Sequence, residues 1–181
     1  EKDTLDFSKL LYPPMQCVDI EEMDLDIVHA GMDQRKVHML AREIFPKMGW
    51  KVPVSVHHHL LPGLGEPQAT GSSYHAIANA KVLSKMSKSN PASGILIHDD
   101  EKKIHDKIMK AYCPLGIVNG NPVLELVRYI IFHQFSEFVV ERPSKWGGNL
   151  AYYDYHELEM GFIEKKIHPA DLKKATAFYI N

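Results

Sequence analysis

Residues 25 to 56 read LDIVHAGMDQRKVHMLAREIFPKMGWKVPVSV, and this stretch decides the fold. Leu25 to Val28 form a short apolar run that predicts a strand. A helix follows, because apolar residues recur at helical spacing from Val37 onward until Pro46 stops it. Val52 to Val56 alternate apolar residues with others, which predicts a second strand. A strand, a helix and a strand in this order predict parallel α/β layering.

The segment before this unit predicts a helix over residues 6 to 20, which Pro13 kinks or splits into two short helices. Tyr12, Gln16 and Asp19 fall at i, i+4 and i+7 of this helix, so they share one face. Their polar groups suit a pocket for a small zwitterion with a phenol ring. From the spacing alone, a polar stripe that faces solvent is the commoner alternative.

The pattern turns helical after residue 90. Asn121 and Pro122 form an N-cap followed by proline at the first helical position. Asp154 with Glu157 matches a capping box, with Asp in place of Ser or Thr. These signals predict that the second half is a small helical domain.

The overall composition excludes several classes of protein. The chain has 181 residues, 45% of them hydrophobic, and a net charge of −2, which indicates a globular protein without a general basic field. An RNA partner would therefore need local patches such as Lys102 to Lys110 or Lys165 to Lys174, although a solvated helix face explains each run equally well. Cys17 and Cys113 are far apart and indicate neither zinc nor a disulfide, which fits a cytoplasmic setting. No apolar run reaches the length of a membrane span.

Three adjacent histidines, His57, His58 and His59, draw attention to metal binding. Consecutive residues of a strand point to alternate faces, so the three cannot all bind one ion. The sequence therefore predicts no metal site here.

Lys85-Met86-Ser87-Lys88-Ser89 places two ammonium groups three residues apart in a short serine-containing loop. Lysine is a mobile point charge, so such a pair suits a leaving pyrophosphate, whereas an isolated Lys-x-x-Lys is more often a solvated loop. The complete pentapeptide resembles the second signature of the class I aminoacyl-tRNA synthetases. The resemblance implies that Lys85, Met86, Ser87, Lys88 and Ser89 bind ATP and that Lys85 and Lys88 are the catalytic groups.

The rest of the chain resembles one family of that class, the tyrosyl-tRNA synthetases of the archaeal and eukaryotic type. The stretches that carry the resemblance follow the family's order along nearly the whole chain; they are residues 12–20, 31–43, 111–114, 145–149 and 168–173. The resemblance implies an α/β fold in two parts. Residues 1–90 would be the C-terminal half of a Rossmann-type catalytic domain, and residues 91–181 a small all-helical anticodon-binding domain.

The resemblance also implies roles for the polar residues of the first part. Tyr12, Gln16 and Gln34 would surround the amino group of tyrosine, and Asp19 would accept a hydrogen bond from its phenol hydroxyl. Arg35 and Lys36 would lie near the first base pair of the tRNA acceptor stem. An ordinary exposed Arg-Lys pair is the alternative for the last two.

In the second part, the residues beside Trp146 indicate base binding independently of the resemblance. Gly147 and Gly148 leave the face of the indole uncovered, and an uncovered face is a platform for an unstacked base, although tryptophan is more often a core residue. The resemblance implies that Trp146 stacks on the first anticodon base, which is guanine in tRNA(Tyr), that His168 helps to enclose this base, and that Asp171 accepts from its Watson–Crick edge.

The implied reaction joins tyrosine to tRNA(Tyr) at the expense of ATP, with Mg²⁺ accompanying the nucleotide. The carboxylate of tyrosine attacks the α-phosphate, and the tyrosyl group then passes to the tRNA. No nucleophile from the protein is needed, so catalysis consists of positioning and charge stabilisation.

The sequence departs from the family in one respect, because it contains no His-x-Gly-His signature. The chain starts at Glu1 and stops at Asn181 inside a predicted helix, so we expect it to be cut at both ends. One interpretation is half of an enzyme, completed by a separate chain with the N-terminal half or truncated from a longer one; the family's homodimer would be a further partner. The alternative is a stand-alone tRNA-binding or regulatory module without catalysis.

Overall fold

A computed structural model of the chain describes residues 7–67, Met86 and residues 90–181. The chain divides by packing into two compact units, an N-terminal unit of Glu1–Leu60 and a C-terminal unit of Leu61–Asn181. Each unit has an apolar core of its own. Within the described residues, no helix is both long and apolar enough to cross a bilayer.

The N-terminal unit consists of a helix followed by a strand–helix–strand arrangement. Its elements are helix α1 (Phe7–Glu22), strand β1 (Ile27–Gly31), a 3₁₀ turn (Met32–Gln34), helix α2 (Arg35–Met48) and strand β2 (Val54–His58). The two strands pair in parallel, with Ile27 opposite Val54 and Gly31 opposite His58. The predicted strand, helix and parallel strand are therefore confirmed.

Helix α1 differs from its prediction, because it continues as one helix through Pro13 and Pro14 to Glu22. Each proline lacks a backbone N–H and removes one hydrogen bond to the preceding turn. That turn is exposed, with Leu10 and Leu11 facing solvent, so water can hydrogen-bond to the freed carbonyl groups. Of the two outcomes predicted for Pro13, the split into two helices is therefore wrong, and the kink stays a prediction.

Helix α2 also extends further than predicted, because Pro46 lies inside it and Gly49 ends it. Gly49 has the left-handed φ of 73°, and its N–H donates to the carbonyl groups of Phe45 and Pro46. A glycine in this conformation is a common helix terminator. Pro46 removes one backbone hydrogen bond to the preceding turn, and the helix continues past it for only two residues, Lys47 and Met48.

The core of the N-terminal unit lies on one face of the sheet, where Val28 packs against α1 and α2 with Phe45 fully buried. The opposite face is apolar but uncovered. Ile27, Val54 and Val56 are 61%, 60% and 47% exposed. Parallel sheets are normally covered on both faces, so the described residues of this unit leave one apolar sheet face open.

The C-terminal unit contains helices and one hairpin. Its elements are a 3₁₀ turn (Pro91–Ser93), α3 (Glu101–Lys110), α4 (Pro122–Leu126), a π-helical turn (Val127–Ile131), α5 (Phe132–Gln134), β3 (Phe138–Val140), a second 3₁₀ turn (Ser144–Trp146), β4 (Leu150–Tyr152), α6 (Tyr155–Ile163) and α7 (Pro169–Ile180). Strands β3 and β4 pair antiparallel, with Val140 opposite Leu150. This hairpin corrects the prediction of an all-helical part, because the short β-branched run of Phe138–Val140 was overlooked.

The predicted helix starts of this unit are confirmed by their caps. The side chain of Asn121 accepts from the N–H groups of Val123 and Leu124. Asp154 accepts from the N–H of Glu157 at 2.9 Å, and Glu157 accepts from the N–H of Tyr153 at 3.4 Å. The half of the capping box that Asp154 supplies is therefore formed, whereas Glu157 reaches the N–H of Tyr153, one residue before the N-cap.

The core of the C-terminal unit is larger and joins the hairpin to α7. Phe138, Leu158, Phe162 and Leu172 are all fully buried in it. Tyr179 stacks on Phe138 at 5.0 Å, and its hydroxyl accepts from the N–H of Val139. The predicted boundary between residues 90 and 91 separates parts by function and stays a prediction, whereas the division by packing falls after Leu60.

Candidate functional site

The predicted amino-acid pocket residues of α1 lie on one side of that helix, beside its buried stripe. Tyr12 and Asp19 are exposed, and Gln16 is half-buried. The Oε1 atom of Gln16 is buried and accepts no hydrogen bond from any described residue. A buried acceptor without a donor is costly, so this oxygen is available to a donor such as a ligand ammonium group.

Gln34 follows β1 and is the residue immediately before α2. The thiol of Cys17 donates to the carbonyl oxygen of Val37 across 3.8 Å and ties the middle of α1 to the first turn of α2. Burial raises the pKa of Cys17, so the thiol stays protonated and can donate. Cys17 follows Gln16 in the chain and Val37 lies three residues after Gln34, so this contact joins the two chain segments that carry the glutamines.

Arg35 and Lys36 are the first two residues of α2, and both are exposed. The side chain of Gln34 makes no capping hydrogen bond. The N–H of Arg35 already donates to the carbonyl of Met32 in the preceding 3₁₀ turn, so the exposed charges of the basic pair are what suits an anionic partner here.

His57 and His58, the last two residues of β2, turn to opposite faces of the sheet, as alternation predicts. His57 Nε2 is 2.9 Å from Nδ1 of His38, and His58 Nδ1 is 3.1 Å from Nε2 of His29. His38 is buried. A hydrogen bond between two imidazoles needs one neutral ring, so neither pair holds a proton on every nitrogen.

Acidification is expected to destabilise the N-terminal unit through His38. Burial, followed by the charge of His57, lowers the pKa of His38 below 6.5. The unfolded chain therefore binds this proton more readily than the folded chain, so the free energy of unfolding falls as pH drops through about 6.5. We expect an about threefold to tenfold rise in the unfolding equilibrium constant between pH 7.5 and pH 5.5. Trp50 packs on Phe45, so its fluorescence reports the unfolding of this unit. The measurement is a urea titration of a chain that carries Trp146→Phe.

The control for this expectation is His38→Gln, which can still hydrogen-bond to His57 but does not titrate. The free energy of unfolding of His38→Gln should depend less on pH than that of the parent chain. His105→Gln, at an exposed histidine of the C-terminal unit, should leave the dependence unchanged. Equal pH dependence in all three chains would contradict the assignment to His38.

Four of the five residues of the predicted ATP loop, Lys85, Ser87, Lys88 and Ser89, lie outside the described residues. Met86 is described. Its N–H donates to the carbonyl of Leu61 at 3.4 Å, and its side chain packs against the core of the C-terminal unit.

Trp146 stands at the end of a 3₁₀ turn and is 67% exposed. Gly147 and Gly148 follow with φ values of 95° and 75°, a conformation that favours glycine. The ammonium of Lys145 lies 5.7 Å from the centre of the indole ring. Trp146 is therefore a surface aromatic residue and not the core residue of the alternative interpretation.

Arg142 joins the Trp146 loop to the segment before α7. Its Nε donates to the carbonyl of Gly148 at 3.0 Å, and one terminal nitrogen donates to the carbonyl of Lys166 at 2.8 Å. His168 follows two residues later, and its Nδ1 accepts from the N–H of Ala170 as the N-cap of α7. Asp171 lies in the first turn of that helix. The arginine thus connects the loop of Trp146 with the segment that leads to His168 and Asp171.

The candidate basic patches are partly neutralised by the protein itself. Lys107 binds Asp99 at 2.5 Å, and the hydrogen bond from Lys107 is the main cause that lowers the pKa of Asp99. Lys103 pairs with Asp100 at 3.1 Å, and Lys166 pairs with Glu164 at 2.6 Å. These contacts favour the solvated-face alternative for the lysines involved.

Arg142 and the β3–β4 hairpin were missed by sequence reasoning. The signal available was the run from Phe138 to Val140, followed by Arg142 and Pro143 and a glycine pair, which is typical of a strand and a turn. Which carbonyl groups the guanidinium reaches depends on packing between segments 24 residues apart.

Comparison with curated proteins gives long matches. The family model described as tRNA synthetases class I (W and Y) matches residues 1–181. The tyrosine–tRNA ligase of Thermococcus sibiricus is 46% identical over 189 residues, which covers 98% of this chain and 50% of the relative. The corresponding ligase of Saccharolobus solfataricus is 47% identical and is also covered to 50%. The chain therefore spans about half the length of the curated relatives it matches.

Solved structures give the same result. The tyrosyl-tRNA synthetase of Pyrococcus horikoshii, crystallised with L-tyrosine, has a TM-score of 0.86 and 46% identity, over 98% of this chain and 51% of that one. The tyrosyl-tRNA synthetase of Archaeoglobus fulgidus, also with L-tyrosine, has a TM-score of 0.77 and 39% identity, over 100% of this chain and 51% of that one.

Proposed function

The chain belongs to the family of class I tRNA synthetases for tryptophan and tyrosine, and we propose that it performs part of the ligation of tyrosine to tRNA(Tyr). The observation that carries the proposal is the match of 98% of the chain to a synthetase crystallised with L-tyrosine. The named relatives are ligases, which favours the enzyme over a stand-alone RNA-binding module.

Tyrosine is the amino acid that we assign to the polar stripe of α1. The unpartnered Oε1 of Gln16 would accept from the ammonium group, together with Tyr12 and Gln34. Asp19, further along the same side of the helix, would accept from the phenol hydroxyl. The short link from Cys17 to Val37 supports this arrangement, because it fixes the start of α2 against the middle of α1.

ATP is the second substrate, and magnesium would arrive with it. Lys85 and Lys88 would stabilise the negative charge that moves onto the leaving pyrophosphate, with Ser87 and Ser89 as hydrogen-bond donors. The third substrate is tRNA(Tyr). Arg35 and Lys36 would meet its acceptor stem.

The anticodon end of the tRNA would meet the C-terminal unit. We assign the first anticodon base to the exposed face of Trp146, with His168 beside it and Asp171 as acceptor at its Watson–Crick edge. The bridge from Arg142 supports this grouping, because it holds the Trp146 loop to the segment before His168.

The experiment joins this chain to the part of the Pyrococcus horikoshii enzyme that precedes the matched region. We expect this chimera to catalyse tyrosine-dependent ATP–pyrophosphate exchange and to charge tRNA(Tyr). The 181-residue chain by itself is expected to show negligible exchange, because it contains no His-x-Gly-His signature.

The matched control is Lys88→Ala in the chimera, which should lose exchange while keeping tyrosine binding. Robust exchange by the unjoined chain would contradict the assignment of a divided ATP site. A folded chimera that binds tyrosine but fails in both reactions would contradict the proposed function.

A further inference from the structure

We infer that Arg142 is a positioning residue, which holds the loop of Trp146 against the segment that leads to His168 and so pre-organises the anticodon pocket. The inference rests on the proposed function of that pocket. Arg142 acts through the two loops and makes no contact with the base.

The guanidinium group connects two separate stretches of backbone. Its Nε donates to Gly148 at 3.0 Å, and a terminal nitrogen donates to Lys166 at 2.8 Å. The N–H of Arg142 also donates to Oδ1 of Asn149 at 3.0 Å. Gly148 is two residues after Trp146, and Lys166 is two residues before the N-cap of α7, so each anchor lies next to a pocket residue.

The Lys166 side of this bridge is rigid. The N–H of Lys166 donates to Gly161 at 2.9 Å, and the N–H of Lys165 donates to Phe162 at 3.0 Å. With Lys165 at a φ of 60°, these two bonds form the Schellman motif that ends α6. Ile167, the next residue, is fully buried. The carbonyl of Lys166 is therefore a fixed point to which a looser segment can be tied.

The Trp146 side is looser by composition. Gly147 and Gly148 follow Trp146 in the left-handed conformation, and a side chain added at Gly148 would meet nothing within 4 Å. Glycine loses more backbone freedom on ordering than any other residue. The bond from Arg142 to Gly148 therefore removes motion that would otherwise move the indole.

Two substitutions of Arg142 can separate the effect of its hydrogen bonds from the effect of its charge. Among the described residues, no carboxylate lies within ion-pair distance of Arg142, whose guanidinium binds carbonyl groups instead. A planar guanidinium reaches two carbonyls in fixed directions, whereas the ammonium of lysine is a single point. Arg142→Lys therefore keeps the charge and loses the bridge, and Arg142→Gln loses both.

The experiment uses the 181-residue chain with Trp50→Phe, which leaves Trp146 as the remaining tryptophan of the two. The probes are tRNA(Tyr) anticodon stem-loops with guanine or adenine at the first anticodon position. For Arg142→Lys we expect about tenfold weaker binding of the guanine RNA and a similar loss of discrimination against adenine. In the absence of RNA, the fluorescence anisotropy of Trp146 should decay faster in Arg142→Lys than in the parent chain. Arg142→Gln should show the same losses of affinity and of discrimination, because it also removes the bridge.

The matched control is Arg128→Lys, the same exchange at an arginine of the same unit that lies over Tyr129 and Tyr155. It should change neither base discrimination nor the anisotropy. If Arg142→Lys matches the parent in both readouts, Arg142 acts by charge alone and the inference is overturned while the proposed pocket survives. If the parent chain itself does not distinguish guanine from adenine, the proposed anticodon role is overturned together with the inference.

Discussion

Asp19→Ala in the chimera is expected to lower tyrosine activation by about 100-fold and to leave phenylalanine activation nearly unchanged. Tyrosine would lose a charge-assisted hydrogen bond from its phenol hydroxyl, whereas phenylalanine has no hydroxyl to lose. Asp19 lies on the same side of α1 as Gln16, whose buried oxygen accepts no hydrogen bond from the described residues. The measurement is the ratio of kcat/KM for tyrosine and phenylalanine in ATP–pyrophosphate exchange.

The expected change is a loss of selectivity and not of stability. A site built around a hydroxyl rejects the analogue without it by about 10⁴ to 10⁵, a magnitude known from tyrosyl-tRNA synthetases themselves. The control is Asp26→Ala, which removes an exposed carboxylate of the same unit that pairs with Lys51 at 3.0 Å. It should leave the ratio unchanged. If Asp19→Ala also leaves the ratio unchanged, Asp19 does not contact the phenol.

The parts of the fold that sequence predicts well are those that depend on neighbours along the chain. The half of the capping box that Asp154 supplies forms because Asp154 and Glu157 are three residues apart and no other segment is needed. Parallel pairing of β1 and β2 follows from the helix between them, because a crossover connection brings the second strand back alongside the first.

The parts that sequence misses depend on competition between local signals or on distant contacts. Pro46 is a strong local stop, yet α2 continues for two residues after it and ends where Gly49 takes the left-handed cap. Pro13 does not split α1, because the turn before it is exposed and water can reach the carbonyl group that it frees. The β3–β4 hairpin is only three pairs long, too short for its alternation to stand out among helices.

The candidate site likewise has features that local sequence patterns predict and features that depend on distant contacts. The shared side of Tyr12, Gln16 and Asp19 follows from helical periodicity alone. Any approach of Gln34 to Gln16 would depend on the packing of α1 on α2, which the sequence does not encode in any local pattern. The role of Arg142 needs the backbone of two loops in register, so no motif search would have found it.

Trp146→Ala is the second substitution with a large expected effect, about 5-fold to 150-fold weaker binding of the tRNA(Tyr) anticodon stem-loop. Stacking of one base on an aromatic side chain contributes about 1 to 3 kcal/mol. The indole is 67% exposed, and the glycines after it add no side chain above its face. Lys145 lies over the ring at 5.7 Å, which leaves the other face for a base. The measurement is an affinity titration at fixed salt, because phosphate contacts vary with ionic strength.

A second RNA separates stacking from a general loss of structure. When the first anticodon position carries no base, the parent chain should bind as weakly as Trp146→Ala, and the substitution should cost nothing further. Trp146→Phe keeps a smaller aromatic face and should fall between the two. Trp50→Phe is the matched control, because Trp50 packs on Phe45 in the N-terminal unit, and it should bind both RNAs like the parent. An equal loss for Trp146→Ala on both RNAs would show that the indole shapes the loop without stacking on the base.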